Sequence, residues 1–288
     1  MHWFFFRRLV CFSIGFLAFL LFLFLVLRQA DRFWNQKSPN PPPIVIFGSS
    51  HAEVSINDDL LSQKLSIEAK NRGLSGQGVF WSTQAAKKSI HQGSRLILFE
   101  LNNFSYTSLE NNISPAALIR ETGSMYYLSA SDWAFLISNA PKTTLDYFIK
   151  MPFPNRSMSG KYMENKRWLK NKEQPARKKF DSFHSNISDT VLHTLIQAHP
   201  KVNFVVFRAP QHPYFYIAIG PKNEHYFQKR FNLFKQYANC QTLDFGPSFD
   251  ADSVFADFGH LNLNGARILT EMLADSLVHF GLNIDNKQ

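Results

Sequence analysis

The chain has 288 residues, a net charge of +9 and 45% hydrophobic residues, room for one sizeable domain with or without an appendage. Its two cysteines, Cys11 and Cys240, lie in an apolar N-terminal segment and far along the rest of the chain, so no intrachain disulfide is expected. Four Arg against one Asp in residues 1–33 supply part of the charge, and no nucleic-acid-binding motif accompanies the rest, so the basic excess suits an anionic lipid or glycopolymer.

From Leu9 to Leu27 the chain reads LVCFSIGFLAFLLFLFLVL, nineteen residues without a charge or a polar face. About 20 apolar residues in a helix span a bilayer core, and RQADRFWNQ, which follows, offers no small-residue cleavage site. Residues 1–34 are therefore expected to be an uncleaved, single-pass transmembrane signal anchor with flanks. Arg7 and Arg8 before the span balance Arg28, Arg32 and Lys37 after it, so charge leaves its orientation open. Residues 35–43, NQKSPNPPP, form a stiff Pro-rich spacer.

The domain at 44–288 opens on IVIF, four β-formers running into GSSHAE. A small hydroxyl residue at a strand end either caps the following helix or is presented as a nucleophile, and this stretch alone leaves both open. NRGLSGQG (71–78) carries glycines at 73, 76 and 78 that let backbone N–H groups approach a ligand. It is not a dinucleotide fingerprint, because the glycine spacing differs and the first turn reads GSS. VFWSTQAAKKSIHQG places Val79, Thr83, Ala86 and Ile90 on one helical face and stops at Gly93. RLILFEL (95–101) and VNFVVFRAP (202–210) read as strands buried on both faces.

Between them, at about 104–200, the alternation lapses into a helical insertion with aromatic clusters and a basic run. From Lys161 to Lys179 that run holds eight basic and two acidic residues, either a solvated face or a docking face for an anionic partner. RAPQHPYFY (208–216) follows a strand end, which puts Arg208 and His212 in reach of a cleft. NEHYFQKRFNLFKQYA (223–238) reads as a helix. In DFGHLNLNG (257–265), Asp257 and His260 share one tight turn before a closing helix marked by Leu269, Met272, Leu273, Leu277 and Phe280. Strands alternating with helices predict an α/β three-layer sandwich around a central parallel sheet, with ligands bound outside the carboxyl ends of the strands, where GSSH lies.

Taken in order, FGSSHAE, NRGLSG and DFGHLN resemble the SGNH (GDSL-like) hydrolase superfamily, and within it a membrane-anchored acyl-transfer branch similar to the D-alanine transfer protein of teichoic acid and the acetylation proteins of exopolysaccharides. The resemblance covers about 44–103 and 200–280. It implies an SGNH-like sandwich in which Ser50 is the nucleophile, His260 the base and Asp257 the acid that orients it, with the Gly76 N–H at the oxyanion. Two departures stand out. Ser49 replaces the acid that usually precedes the nucleophile, and FELNNFSY lacks the glycine of the block that supplies an amide, leaving Asn102 or Asn103 for that role.

The expected activity is that of a serine acyl-esterase or O-acyltransferase acting on a cell-envelope glycan or lipid through an acyl-serine intermediate, with no metal or other cofactor. The alternative is a non-catalytic envelope accessory protein that docks a multi-pass membrane acyltransferase or binds a glycan. The resemblance further implies a location in the plasma or inner membrane, with the soluble domain facing the periplasm or exterior.

Overall fold

The computed structural model describes residues 11–19, 21–22, 25, 41–74, 77–106, 187–249 and 252–281. Residues 11–19 are helical and exposed; the remainder of the expected anchor lies largely outside the described residues, and among the described residues no helix is long and apolar enough to cross a membrane. The spacer ends docked on the domain: Pro43 O accepts from the backbone N–H groups of Arg95 and Leu96, and Pro42 O from Ser94 Oγ.

Five parallel strands form one sheet in the order β2-β1-β3-β4-β5: β1 (Ile44–Phe47), β2 (Ala69–Asn71), β3 (Leu96–Glu100), β4 (Asn203–Arg208) and β5 (Cys240–Asp244). Ile44 pairs with Ala69 on one side and Leu96 on the other, Leu96 with Asn203, and Phe204 with Cys240. Strands β1 and β3 are buried along their whole length, as continuous Val/Ile/Leu/Phe runs covered on both faces should be.

The two-residue period of a strand divides these side chains between two cores. Ile44, Ile46, Leu96, Leu98, Val205 and Phe207 face α1 (Ser50–Ser55), α2 (Asp58–Leu65) and α6 (Leu263–His279), which contribute Ala52, Leu61, Leu269 and Leu273. Val45, Phe47, Ile97, Phe99, Phe204 and Val206 face α3 (Val79–Gln92), α4 (Ile187–Ala198) and α5 (Pro213–Asn232), which contribute Ala85, Leu192, Ile196 and Phe227. The architecture is the expected α/β sandwich.

Helix α3 stops at Gly93, whose φ of 112° closes the end in the left-handed region. Three boundaries differ from those read in the sequence. Helix α4 sits in the core, so the scaffold resumes at 187 instead of about 200; residues 107–186, which hold most of the expected insertion and its basic run, lie outside the described residues. Helix α5 begins ten residues earlier than expected and bends at Gly220, which has non-helical φ and ψ immediately before Pro221. Strands β2 and β5 escaped the pattern because β2 is three residues long and β5 is only partly buried.

The chain leaves β1 for β2 on one side and returns through α3 to β3 on the other. Connections therefore diverge at the carboxyl ends of β1 and β3, the place where open α/β sheets form a ligand crevice.

Candidate active site

Gly48 ends β1 with a φ of 156°, and a Cβ there would lie 2.7 Å from Glu100 Cβ and 2.8 Å from Ala52 Cβ. Only glycine lets β1 turn into α1 this close to β3. The next two serines divide the two roles that the GSSH stretch alone leaves open. Ser49 is the cap: its Oγ accepts from His51 N at 3.3 Å. Ser50, at the first helical position, points its Oγ to His260 Nε2, 2.8 Å away.

The other side of the site is one closed turn. Phe255 and Leu261 form an antiparallel bridge, Ala256 N donates to His260 O, and Asn262 caps α6 by accepting from Gly265 N. Inside that turn, Asp257 Oδ1 accepts from the backbone N–H groups of Gly259 and His260, both at 2.8 Å. Its Oδ2 lies 2.8 Å from His260 Nδ1. Burial alone would raise the Asp257 pKa, but the His260 ring and these two backbone donors outweigh it and hold the carboxyl below its ordinary value. A carboxylate, a ring and a hydroxyl thus stand in line, the arrangement in which an imidazole can take the hydroxyl proton while the carboxylate fixes its Nδ1–H.

Beneath Ser50 runs a buried polar network. Glu100, an acid at the end of an otherwise apolar strand, accepts from Ser49 N at 3.3 Å and Ser49 Oγ at 3.1 Å through Oε2. Its Oε1 accepts from Asn102 Nδ2 at 2.9 Å. Burial pushes the Glu100 carboxyl up, against the pull of these donors. His51, 5% exposed, lies with its ring nearly parallel to that of His260, centroids 4.8 Å apart. Burial, then the neighbouring His260, lower its pKa to about 3, against an opposing pull from Asp257.

The remaining site residues expected from the sequence fall elsewhere. Gly76 lies outside the described residues, although Gly73 in the same loop packs so closely on α1 that a Cβ would meet Glu53 N at 2.6 Å. The amide of Asn102 is directed at Glu100, Ser49 and His51, so it braces the nucleophile loop from beneath. Asn103 Oδ1 accepts from Arg208 Nη2 at 3.2 Å and belongs to a different cluster. There Arg208, 1% exposed, is clamped by both carboxylate oxygens of Glu224, at 2.6 and 2.7 Å, and lies over the rings of Tyr216 and Phe227. That guanidinium ties α5 to the sheet.

His212 caps α5 by accepting from Tyr214 N through Nδ1 and pairs with Asp252 through Nε2. Its backbone N–H donates to Phe258 O, so it supports the Asp257–His260 turn from outside. Neither Glu100 nor Gln211, whose amide lies 3.3 Å from His51 Nε2, is among the site residues expected from the sequence. An acid inside LILFEL was the available signal for Glu100; Gln211 had none. Among the described residues no group of three or more His, Cys, Asp and Glu side chains is placed to hold a metal ion.

No family model matches the chain, and no curated protein does. Solved structures with a related arrangement include a Streptococcus pneumonia protein named for platelet activating factor, at 13% identity and a TM-score of 0.47 over 93% of this chain and 99% of that one. A catalytic mutant of an acetylxylan esterase from Geobacillus stearothermophilus follows at 12% identity and 0.43, over 88% of this chain and 100% of that one. A carbohydrate esterase of family 3 from Talaromyces cellulolyticus gives 12% and 0.41, over 85% and 100%. At these values the likeness adds nothing to what the geometry of the site itself carries.

Proposed function

We propose that the chain is a serine acyl-esterase or O-acyltransferase working through an acyl-Ser50 intermediate on an ester of a cell-envelope glycan or lipid. The observation that carries this reading is the line Ser50 Oγ–His260–Asp257, with 2.8 Å at each step. In the proposed reaction His260 Nε2 takes the Ser50 proton as Oγ bonds to the acyl carbon, while Asp257 holds the Nδ1–H and steadies the imidazolium. The oxyanion is received by the N–H of Ser50, which has no intrahelical acceptor at the first helical position, and by the loop that carries Gly76. His260 then returns the proton to the leaving alcohol, and the same ring activates water or an acceptor hydroxyl against the acyl-enzyme.

The finer reading favours transfer over hydrolysis. A span at 9–27 followed by a nine-residue spacer would keep the crevice near the bilayer, on the periplasmic or exterior side, where a lipid-borne or membrane acyl donor is concentrated. The basic run at 161–179 would attract an anionic polymer or headgroup, or dock a multi-pass acyltransferase.

The test is labelling of the full-length protein with a fluorophosphonate and location of the adduct by mass spectrometry. Ser50 is expected to carry it, and Ser50→Ala and His260→Ala to abolish it without unfolding the domain. Near-normal ester turnover by Ser50→Ala would overturn the assignment. With an acyl donor supplied, rapid release of free acid that candidate acceptor glycans do not alter would decide for a plain esterase.

A further inference from the structure

The buried imidazole beside the nucleophile has no part in the reaction just described, and its surroundings specify both its protonation and its orientation. His51 Nδ1 lies 2.9 Å from Asn102 Nδ2 and 3.1 Å from Ser49 Oγ. An amide nitrogen only donates, and its contact with Glu100 Oε1 fixes which end of the Asn102 amide faces this way. Nδ1 must therefore accept. The opposite tautomer would ask Ser49 Oγ to accept from His51 N, His51 Nδ1–H and Asn102 Nδ2, three donors for two lone pairs.

With Nδ1 accepting, the proton sits on Nε2 and needs an acceptor. The Gln211 amide is placed with its Nε2 3.3 Å from His51 Nε2, a donor facing a donor in this tautomer, while its Oε1 is a buried oxygen with no hydrogen-bond partner. The two ends of an amide are told apart by their partners. Turning the Gln211 amide so that Oε1 faces the ring satisfies the orphaned oxygen and the Nε2–H together. Gly259 completes the seat, since a Cβ there would lie 3.0 Å from His51 Nε2.

We propose that His51 is a positioning residue: a neutral imidazole, held in its Nε2–H tautomer by Asn102 and Gln211, whose face backs the His260 ring and keeps that ring in the plane joining Ser50 Oγ to Asp257. The inference rests on the acyl-serine reading above and deepens it. The rings are 13° from parallel, so a tilt of His260 away from Ser50 would have to break the stack. A neutral face also tolerates the imidazolium formed when His260 takes the Ser50 proton, whereas a second cation at 4.8 Å would oppose it. The depression of the His51 pKa by burial agrees with a ring that stays uncharged when His260 takes the Ser50 proton.

Two measurements on the full-length protein test this. Long-range proton–nitrogen spectra of histidine-labelled protein should show one ring that stays neutral and Nε2-protonated between about pH 5 and 8 and that vanishes in His51→Phe. A ring assigned to His51 in the Nδ1–H form, or one titrating at its ordinary value, would overturn the proposal. The second measurement is the fluorophosphonate rate at Ser50. His51→Phe keeps a plate, whereas His51→Gln keeps polar contacts without one. The Gln variant is expected to react about 10–100-fold more slowly than the native protein, and the Phe variant about fivefold or more faster than the Gln variant. Equal rates in the two variants would overturn the positioning role. Failure of the native protein to be labelled at Ser50 would instead overturn the acyl-serine reading, so the two failures are distinct.

Discussion

Replacing Asp257 by Asn tests the proposed chemistry most directly, because the structure specifies what each carboxylate oxygen does. Oδ1 accepts from the backbone N–H groups of Gly259 and His260, and the carbonyl oxygen of an Asn side chain can keep both bonds. The turn should therefore survive, and with it the fold. Oδ2, 2.8 Å from His260 Nδ1, would become an NH2 group that donates. Oδ1 also lies 2.9 Å from Nδ1, but the two backbone donors occupy its lone pairs, so Nδ1 accepts from the new NH2 and the His260 proton sits on Nε2, the nitrogen 2.8 Å from Ser50 Oγ. That nitrogen would donate to the hydroxyl it has to deprotonate. A reversed tautomer in such a triad costs about 10⁴ in rate, or about 5.5 kcal/mol of transition-state stabilisation. The assay is the second-order rate of Ser50 modification by a fluorophosphonate, followed by intact mass, with turnover of an activated ester beside it. Thermal unfolding of the variant should match the native protein. An Asp257→Asn variant that reacts within about threefold of native would refute the role given to this carboxylate.

Three further outcomes are expected. His51 has a folded pKa of about 3 against 6.5 unfolded, so its contribution is fully present above the unfolded value and is lost as pH falls from there toward the folded one. At pH 5 the unfolded chain binds a proton that the native state refuses, which removes about 2 kcal/mol. Urea midpoints from pH 8 to 5 should show that slope, and His51→Phe should flatten it; an unchanged slope would contradict the buried neutral ring. Gly48→Ala forces a Cβ against Glu100 and Ala52 at a positive φ and should cost about 2–3 kcal/mol, read as a fall in Tm by circular dichroism. Arg208→Met leaves the Glu224 carboxylate without its clamp and should destabilise by about 3 kcal/mol in urea unfolding. Its KM for an ester substrate should not change; a selective rise in KM with unaltered stability would give Arg208 a substrate contact instead.

The sequence by itself determined the central strands, the closing helix and the pairing of Asp257 with His260. Each of these rests on local rules. Runs such as IVIF and RLILFEL are long and apolar enough to demand burial on both faces, and three residues of a capped turn suffice to put an acid beside a ring. The choice of Ser50 over Ser49 as nucleophile came from the family resemblance and not from a local rule. Either serine can cap, and the outcome depends on which hydroxyl faces a histidine 210 positions away.

Only the tertiary structure decided the fates of Asn102, Asn103, Arg208 and His212, because side chains at strand ends choose partners across the sheet. Arg208 finds Glu224 on α5, Asn103 joins that pair, His212 meets Asp252, and Asn102 meets Glu100 and His51. The stacked histidines belong to the same class. Residues 51 and 260 are brought within 4.8 Å by the reversal of strand order at β1 and β3 and by the return of the chain through α6, a contact that neither periodicity nor spacing encodes.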